Sequence, residues 1–411
     1  MELEIITIGT ELLLGFTVDS NSAEIGQLLA PLGVRVARRT AVGDDPVQIR
    51  AAVSEALERT GTVITTGGLG ATSDDITKKA VADLFGLRLE FQEAIWQELT
   101  GRFARFGRTL AANNRCQAEI PEGATVLPNR RGTAPGLWLS GTRGLVIMLP
   151  GVPVEMRGLM VQEVVPRLEQ RSGASVIRSR TLRTTGIAES SLAELLRGIE
   201  DAIAPVTLAY LPGLEGADLR VTAWHLSPDE SDQRVQSAVE RIRAAAGRYV
   251  YAEGSGDLAA ILLERARARG DRIAVAESCT GGLLGGRLTA IPGSSDVFEG
   301  GVIAYDDRVK LDHLGVDPWL IQDHGAVSEP VCVAMARGVA ARFRANLAMA
   351  VTGIAGPGGG SDTKPVGLVW FASLAGSEVR AQSYIFPGSR EEVRARAVQA
   401  VLFQLFGAIR E

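Results

Sequence analysis

Three cysteines and three histidines in 411 residues leave little material for the commonest thiolate and imidazole chemistries. Cys116, Cys279 and Cys332 are scattered, with no paired spacing, so neither a disulfide framework nor a zinc site is indicated. No apolar run has membrane-spanning length, and Met1-Glu2-Leu3-Glu4 leads directly into a strand pattern rather than a signal peptide. The expected location is cytoplasmic, with no membrane partner. A basic excess is missing as well: 43 Lys and Arg stand against 48 Asp and Glu, interleaved rather than blocked. That balance disfavours nucleic-acid binding as the main task. What is present is 46% hydrophobic and 22% charged residues, in a chain long enough for two or three cores.

Residues 1–171 alternate strand and helix patterns. Glu4–Gly9, Val34–Val36, Thr62–Thr65 and Leu145–Leu149 read as strands; Asp19–Leu29, Asp45–Thr60 and Asp74–Phe85 read as helices. This is the signature of a mostly parallel sheet covered on both faces, in which ligands bind beyond the carboxyl ends of strands. The unusual residues fall there: Glu11 after the first strand, Gly67, Gly68 and Gly70 with Asp74 and Asp75 after the third, and Gly151 after the last. A glycine loop can offer bare N–H groups to phosphate, and Asp74, Asp75 and Glu11 are the oxygen ligands a hard divalent cation would want. Residues 172–253 read as a small α+β connecting domain, with Ser175–Thr184 and Leu219–Trp224 as strands and Glu189–Asp201 and Glu230–Ala246 as helices. No group of catalytic residue types gathers there.

In residues 254–411, the buried-strand pattern Arg272–Val275 runs into Ala276-Glu277-Ser278-Cys279-Thr280-Gly281-Gly282 and then an apolar helical pattern. Thr280 is the expected N-cap, and the unpaired N–H groups near Thr280 and Gly281 could face a developing oxyanion. Ser278 is the candidate nucleophile. A serine hydroxyl needs a base, and a desolvated lysine can serve, which points to Lys310 at a strand end. Cys279 is the chemical rival, with its side chain directed away if the stretch is still extended. The loop Gly353–Gly360 and Arg390 suit a phosphate.

Several stretches together resemble one known family. Gly9-Thr10-Glu11-Leu12-Leu13, Gly67-Gly68-Leu69-Gly70 with Asp74-Asp75, Gly132-Thr133-Ala134-Pro135-Gly136 and Leu149-Pro150-Gly151-Val152-Pro153 are similar to the N-terminal domain of the competence/damage-inducible CinA family. Glu277–Gly282, Gly293-Ser294-Ser295, Tyr305 with Lys310, His324–Ser328 and Gly353–Pro357 resemble its C-terminal domain. The resemblance implies a molybdopterin-binding-like three-layer domain, a KH-like middle domain and an α/β amidohydrolase domain. It implies two activities. One hydrolyses nicotinamide mononucleotide to nicotinate mononucleotide and ammonia, without a cofactor. The other cleaves ADP-ribose to AMP and ribose 5-phosphate with Mg²⁺ or a similar ion. Carried over, the amidase site is Ser278, Ser295, Tyr305, Lys310, Thr352 and Arg390, with Thr280, Gly281 and Gly353 against substrate. A homodimer is the family habit. Ala71 and Ser73 stand where the family commonly has prolines, and Cys116 where it often has lysine. The alternative expectation is an N-terminal half that binds a pterin or nucleotide without turnover. A role as an interaction protein of DNA uptake or repair follows only from the family's name.

Overall fold

A computed structural model describes residues 1–409 apart from 106, 108 and 172–175. Two compact units result, one of residues 1–178 with 223–233 and one of residues 179–222 with 234–411.

The first unit contains strands β1 (Glu2–Ile8), β2 (Arg35–Val42), β3 (Thr62–Thr66), β4 (Leu89–Phe91), β5 (Glu119–Pro121), β6 (Thr125–Leu127), β7 (Gly136–Gly141) and β8 (Gly144–Leu149). Six of them form one sheet in the order β2-β1-β3-β8-β7-β6, while β4 and β5 pair separately. The four strands from β2 to β8 are parallel, and β7 and β6 continue the sheet antiparallel. Successive side chains of a strand face opposite ways, which accounts for the two cores. Val63, Val146 and Met148 join one cluster, and Ile64, Ile147 and Leu149 the other. Helix ends follow local chemistry. Asp45 accepts hydrogen bonds from the Val47 and Gln48 N–H groups at the start of Pro46–Thr60, and Gly61 closes that helix at φ +68°.

Strands β9 (Val176–Thr184), β10 (Thr207–Pro212), β11 (Ala217–Leu226) and β12 (Val250–Glu253) form a second sheet in the order β10-β11-β9-β12. Ser175, expected to open β9, lies outside the described residues. The single helix expected over 189–201 is two, Glu189–Leu196 and Ile199–Ala202, parted at Gly198, whose φ of +84° no helix accepts.

The third sheet has strands β13 (Ile273–Glu277), β14 (Phe298–Ile303), β15 (Leu347–Gly353), β16 (Leu368–Ala375) and β17 (Glu378–Ile385), in the order β14-β13-β15-β16-β17. The first three are parallel and the last two antiparallel. Ile273 and Val275 point into a core shared with helices Leu258–Arg269 and Arg390–Ala408. Ala274 and Ala276 point into the opposite core, with Val331, Met335 and Val339 of helix Glu329–Phe343. Within the second unit, Arg287 pairs with both Glu215 and Asp257. The chain is thus an α/β protein with mixed sheets. Among the described residues no helix is long and apolar enough to cross a membrane.

Candidate active sites

In the third sheet the chemistry-bearing residues gather at the carboxyl ends of β14, β13 and β15. Glu277 pairs in register with Ile303 on one side and Val351 on the other. Ser278, the next residue, donates its N–H to the Val351 carbonyl at 2.9 Å. Alternation along β13 carries Ser278 to the face of Ala274 and Ala276, and Thr352 of β15 falls on that same face beside Ala350. Thr352 donates its hydroxyl to the Ala326 carbonyl at 2.9 Å.

Lys310 belongs to helix Asp307–Leu314, not to a strand end as the sequence suggested. This helix follows β14, and Leu314 at its end joins the core on the Ala274 face. Lys310 is only 1% exposed. Its Nζ reaches back to the start of the helix, 3.0 Å from the Asp307 carboxylate and 3.4 Å from the Tyr305 carbonyl. A buried ammonium is costly unless paired, and Asp307 supplies the pair. Tyr305 is exposed, and its hydroxyl accepts a hydrogen bond from Arg390 at 3.0 Å; Arg390 also donates to the Gly356 carbonyl at 2.7 Å. Arg390 therefore joins Tyr305, just after β14, to the glycine-rich loop that follows Gly353 at the end of β15, while keeping further N–H donors for a ligand.

Cys279 is buried in the core on the opposite face from Ser278, and burial pushes its thiol up to about 12. At neutral pH almost none of it is thiolate, the nucleophilic form.

Three further expectations for this site are corrected. Ser295 sits in the short turn Ser294–Asp296 ahead of β14, exposed, at the opposite end of the sheet. A six-residue strand separates the two ends by about 20 Å. Within this chain Ser295 does not reach Ser278 or Lys310. Thr280 is not an N-cap either. The helix begins at Leu283 after Gly282, and Gly281 and Gly282 take φ values of +59° and +96°. The carboxylate of Glu277 accepts the N–H groups of Gly282, Leu284 and Gly285 at 3.0, 3.0 and 2.8 Å. An ionised carboxylate outcompetes a hydroxyl for such donors. Gly281 N–H goes to the Ser278 carbonyl at 3.1 Å, so it is not free for an oxyanion.

Glu277, Asp307 and Arg394 were not anticipated from sequence. Arg394 donates to the Thr280 carbonyl at 2.7 Å. Its spacing of four from Arg390, and that of three between Asp307 and Lys310, are signals that helical periodicity could have offered.

In the first unit a cavity of about 330 Å³ opens beyond β1, β3 and β8. Gly67, Gly68, Gly70, Gly151, Glu11, Asp74 and Asp75 all line it, together with Asp44, Gln117, Thr133 and Glu155. Five carboxylates thus face one space, and no Lys or Arg is among its lining residues. The loop geometry needs glycine: a Cβ on Gly67, at φ +112°, would lie 2.1 Å from the Ile8 carbonyl oxygen. Gly67 N–H is spent on the Leu149 carbonyl at 3.0 Å rather than held bare for phosphate. Asp74 and Asp75 precede the helix, which starts at Thr77. Asp75 accepts from the N–H and hydroxyl of Thr72 at 2.8 and 2.6 Å. Asp44 accepts from Thr10 N–H and hydroxyl at 2.8 and 2.9 Å. Burial raises the Glu155 carboxyl above its ordinary value, against the hydrogen bond that Asn129 donates at 2.6 Å.

The expected metal trio is not assembled: among the described residues no three such side chains come within reach of one ion. The donor set fits a cation held by one or two carboxylates plus phosphate oxygens, as Mg²⁺ commonly is, and does not fit an all-protein cage.

Comparison with known proteins matches three families in order along the chain. These are "Probable molybdopterin binding domain" over residues 4–170, "Damage-inducible protein CinA KH domain" over 179–252 and "CinA C-terminal domain" over 256–409. A "CinA-like protein" of Gemmatimonas aurantiaca is 51% identical, covering 98% of this chain and 96% of its own. One of Synechococcus sp. is 46% identical, covering 92% and 90%. A crystal structure titled as competence/damage inducible protein CihA from Agrobacterium tumefaciens is 40% identical over 38% of this chain and 98% of its own, with a TM-score of 0.36.

Proposed function

The chain belongs to the CinA family, and from that premise we propose that its C-terminal domain is a serine amidase converting nicotinamide mononucleotide to nicotinate mononucleotide and ammonia. The observation that carries this reading is the buried Lys310, set beside the strand ends on the face that Ser278 occupies. Lys310 takes the Ser278 proton as Oγ adds to the carboxamide carbon. Asp307 then holds the ammonium. That proton passes to the departing nitrogen as the C–N bond breaks, leaving an acyl-serine and ammonia. Water adds to the acyl carbon and gives a proton to Lys310. As the ester C–O bond breaks, that proton returns to Oγ, which restores Ser278 and Lys310 and releases the acid, whose own proton goes to solvent as the carboxylate forms. The cycle consumes only water. Arg390 holds the 5′-phosphate, with Tyr305 and Thr352 beside the substrate.

Ammonia release by Ser278→Ala, Cys279→Ala and Lys310→Met variants tests the assignment. Loss in the first and third, with the larger part of the rate kept in the second, is the expected pattern. A dead Cys279→Ala with an active Ser278→Ala would reverse the roles.

For the first unit the proposed reaction is cleavage of ADP-ribose to AMP and ribose 5-phosphate with a divalent cation. The five lining carboxylates repel a diphosphate, and Arg102 and Lys78, which act on Glu155 and Asp75, do not themselves line the cavity, so entry calls for added positive charge. Asp74 and Glu11 are the residues to hold such an ion, which would neutralise phosphate oxygens. A second reading, binding without turnover, is favoured by the commitment of Asp75 to Thr72. AMP release measured with and without divalent metal separates the two. If both together yield none, the pyrophosphatase reading is dropped.

A further inference from the structure

We propose that Glu277 is a positioning residue of the amidase, and that it makes the N–H groups of Cys279 and Thr280, rather than the helix start, the donors facing the substrate carbonyl oxygen. This rests on the amidase reading of Ser278.

Glu277 is the last residue of β13 and is 1% exposed. Its own carbonyl accepts from the Ala304 N–H at 2.7 Å, pinning the main chain to the neighbouring strand's end. Its side chain meanwhile takes three N–H groups at the start of the next helix, those of Gly282, Leu284 and Gly285. One residue therefore clamps both ends of the turn that carries Ser278. The polar main-chain groups between are nearly all assigned. Ser278 N–H goes to Val351, Gly281 N–H to Ser278 and Leu283 N–H to Thr280. The Thr280 carbonyl also accepts from Arg394, a second clamp from helix Arg390–Ala408. Among the described residues only the N–H groups of Cys279 and Thr280 in this turn find neither a main-chain carbonyl nor the Glu277 carboxylate, that of Cys279 having just its own thiol beside it. They adjoin the nucleophile, where an oxyanion forms on attack at the carbonyl carbon.

A carboxylate suits the clamp because it accepts on both oxygens and carries no donor of its own. A glutamine of the same shape would set an NH₂ group against a main-chain N–H, and the turn would have to shift.

The test is Glu277→Gln in the full chain. The fraction of competent sites is titrated by a fluorophosphonate, which phosphonylates Ser278 Oγ with loss of fluoride. Per labelled site, kcat for ammonia release is expected to fall on the order of 100-fold, with KM for nicotinamide mononucleotide within about threefold. The rate of labelling should fall in parallel. A merely structural role would lower the number of sites and leave the rate per site alone. A kcat per site within about threefold of the wild type overturns the proposal. If Glu277→Gln does not fold, Arg394→Met, which removes one clamp only, is expected to lower kcat per site about tenfold, and an unchanged value overturns it equally. Should the wild-type chain release no ammonia, the substrate reading fails, and the labelling rates of the wild type and variants still decide the role of Glu277.

Discussion

Both ends of the chain build glycine-rich turns at the carboxyl ends of parallel strands, but they handle charge in opposite ways. Five carboxylates line the cavity of the first unit with no Lys or Arg beside them in its lining, and hydroxyl or amide groups of Thr10, Thr72 and Asn129 answer Asp44, Asp75 and Glu155. At the end of β13 the Glu277 carboxylate is turned inward onto main-chain N–H groups and that of Asp307 is paired with Lys310, while Arg390, Arg394 and Lys310 come from flanking helices. A helix start that has satisfied its own donors has nothing left for an anion, so anion binding there falls to arginine. A cavity lined by acids and by no Lys or Arg favours a ligand that arrives with a cation. The same strand-end architecture therefore supports one site that is electrostatically complete and one that is not.

The widest separation between the two sites should come from chelation. EDTA is expected to abolish AMP release from ADP-ribose and leave ammonia release from nicotinamide mononucleotide unchanged; equal sensitivity would break the contrast. Next, Ser278→Ala should lower ammonia release on the order of 10⁴-fold with AMP release intact, and Lys310→Met on the order of 10²–10⁴-fold. Tyr305→Phe removes one of the two hydrogen-bond partners of Arg390 and should raise KM about tenfold with little change in kcat, read from initial rates. The alkaline stability of the second unit offers a smaller effect. The Cys279 thiol, pushed up to about 12 by burial, stays protonated in the fold while the unfolded thiol ionises near its ordinary value. Its contribution is fully present below about pH 8.5 and is lost as pH rises toward the folded value, at about 1.4 kcal/mol per unit. Denaturant titrations of wild type and Cys279→Ala between pH 8 and 10 would show it as a shallower pH dependence in the variant. Smallest of all, Ser295→Ala should leave ammonia release within about twofold; a large loss would mean that the far end of the sheet reaches the site by a route absent from this chain.

How far these features could be read in advance depended on their range. Apolar runs such as Ile273–Ala276 and Leu145–Leu149 announced buried strands, because parallel strands covered on both faces need no polar alternation. The caps Asp19, Asp45 and Ser389 act over two or three residues and so stand in the local sequence. Strands β6 and β7 were not anticipated. The first is three residues long, and their place in the sheet depends on pairing with β8. The site was legible as residue types and not as contacts. Ser278, Lys310, Tyr305, Thr352 and Arg390 come to one end of the sheet, but Ser295 was grouped with them by likeness of motif, which carries no distance. Thr280 was expected to cap a helix because hydroxyls do so locally. A carboxylate one residue before Ser278, satisfying the helix-start donors from a strand, is a tertiary arrangement that spacing alone does not announce.

Arg287 lies on the helix that Glu277 anchors, and its guanidinium is shared between Asp257 and Glu215 of the turn between β10 and β11. A cut at residue 254, where the texture of the sequence suggests a seam, would pass between those two counter-ions. The excised C-terminal piece would keep the arginine with half its compensation, on the helix that follows Ser278. Truncation is thus a perturbation of that helix, and activities of whole and shortened chains are not interchangeable measurements.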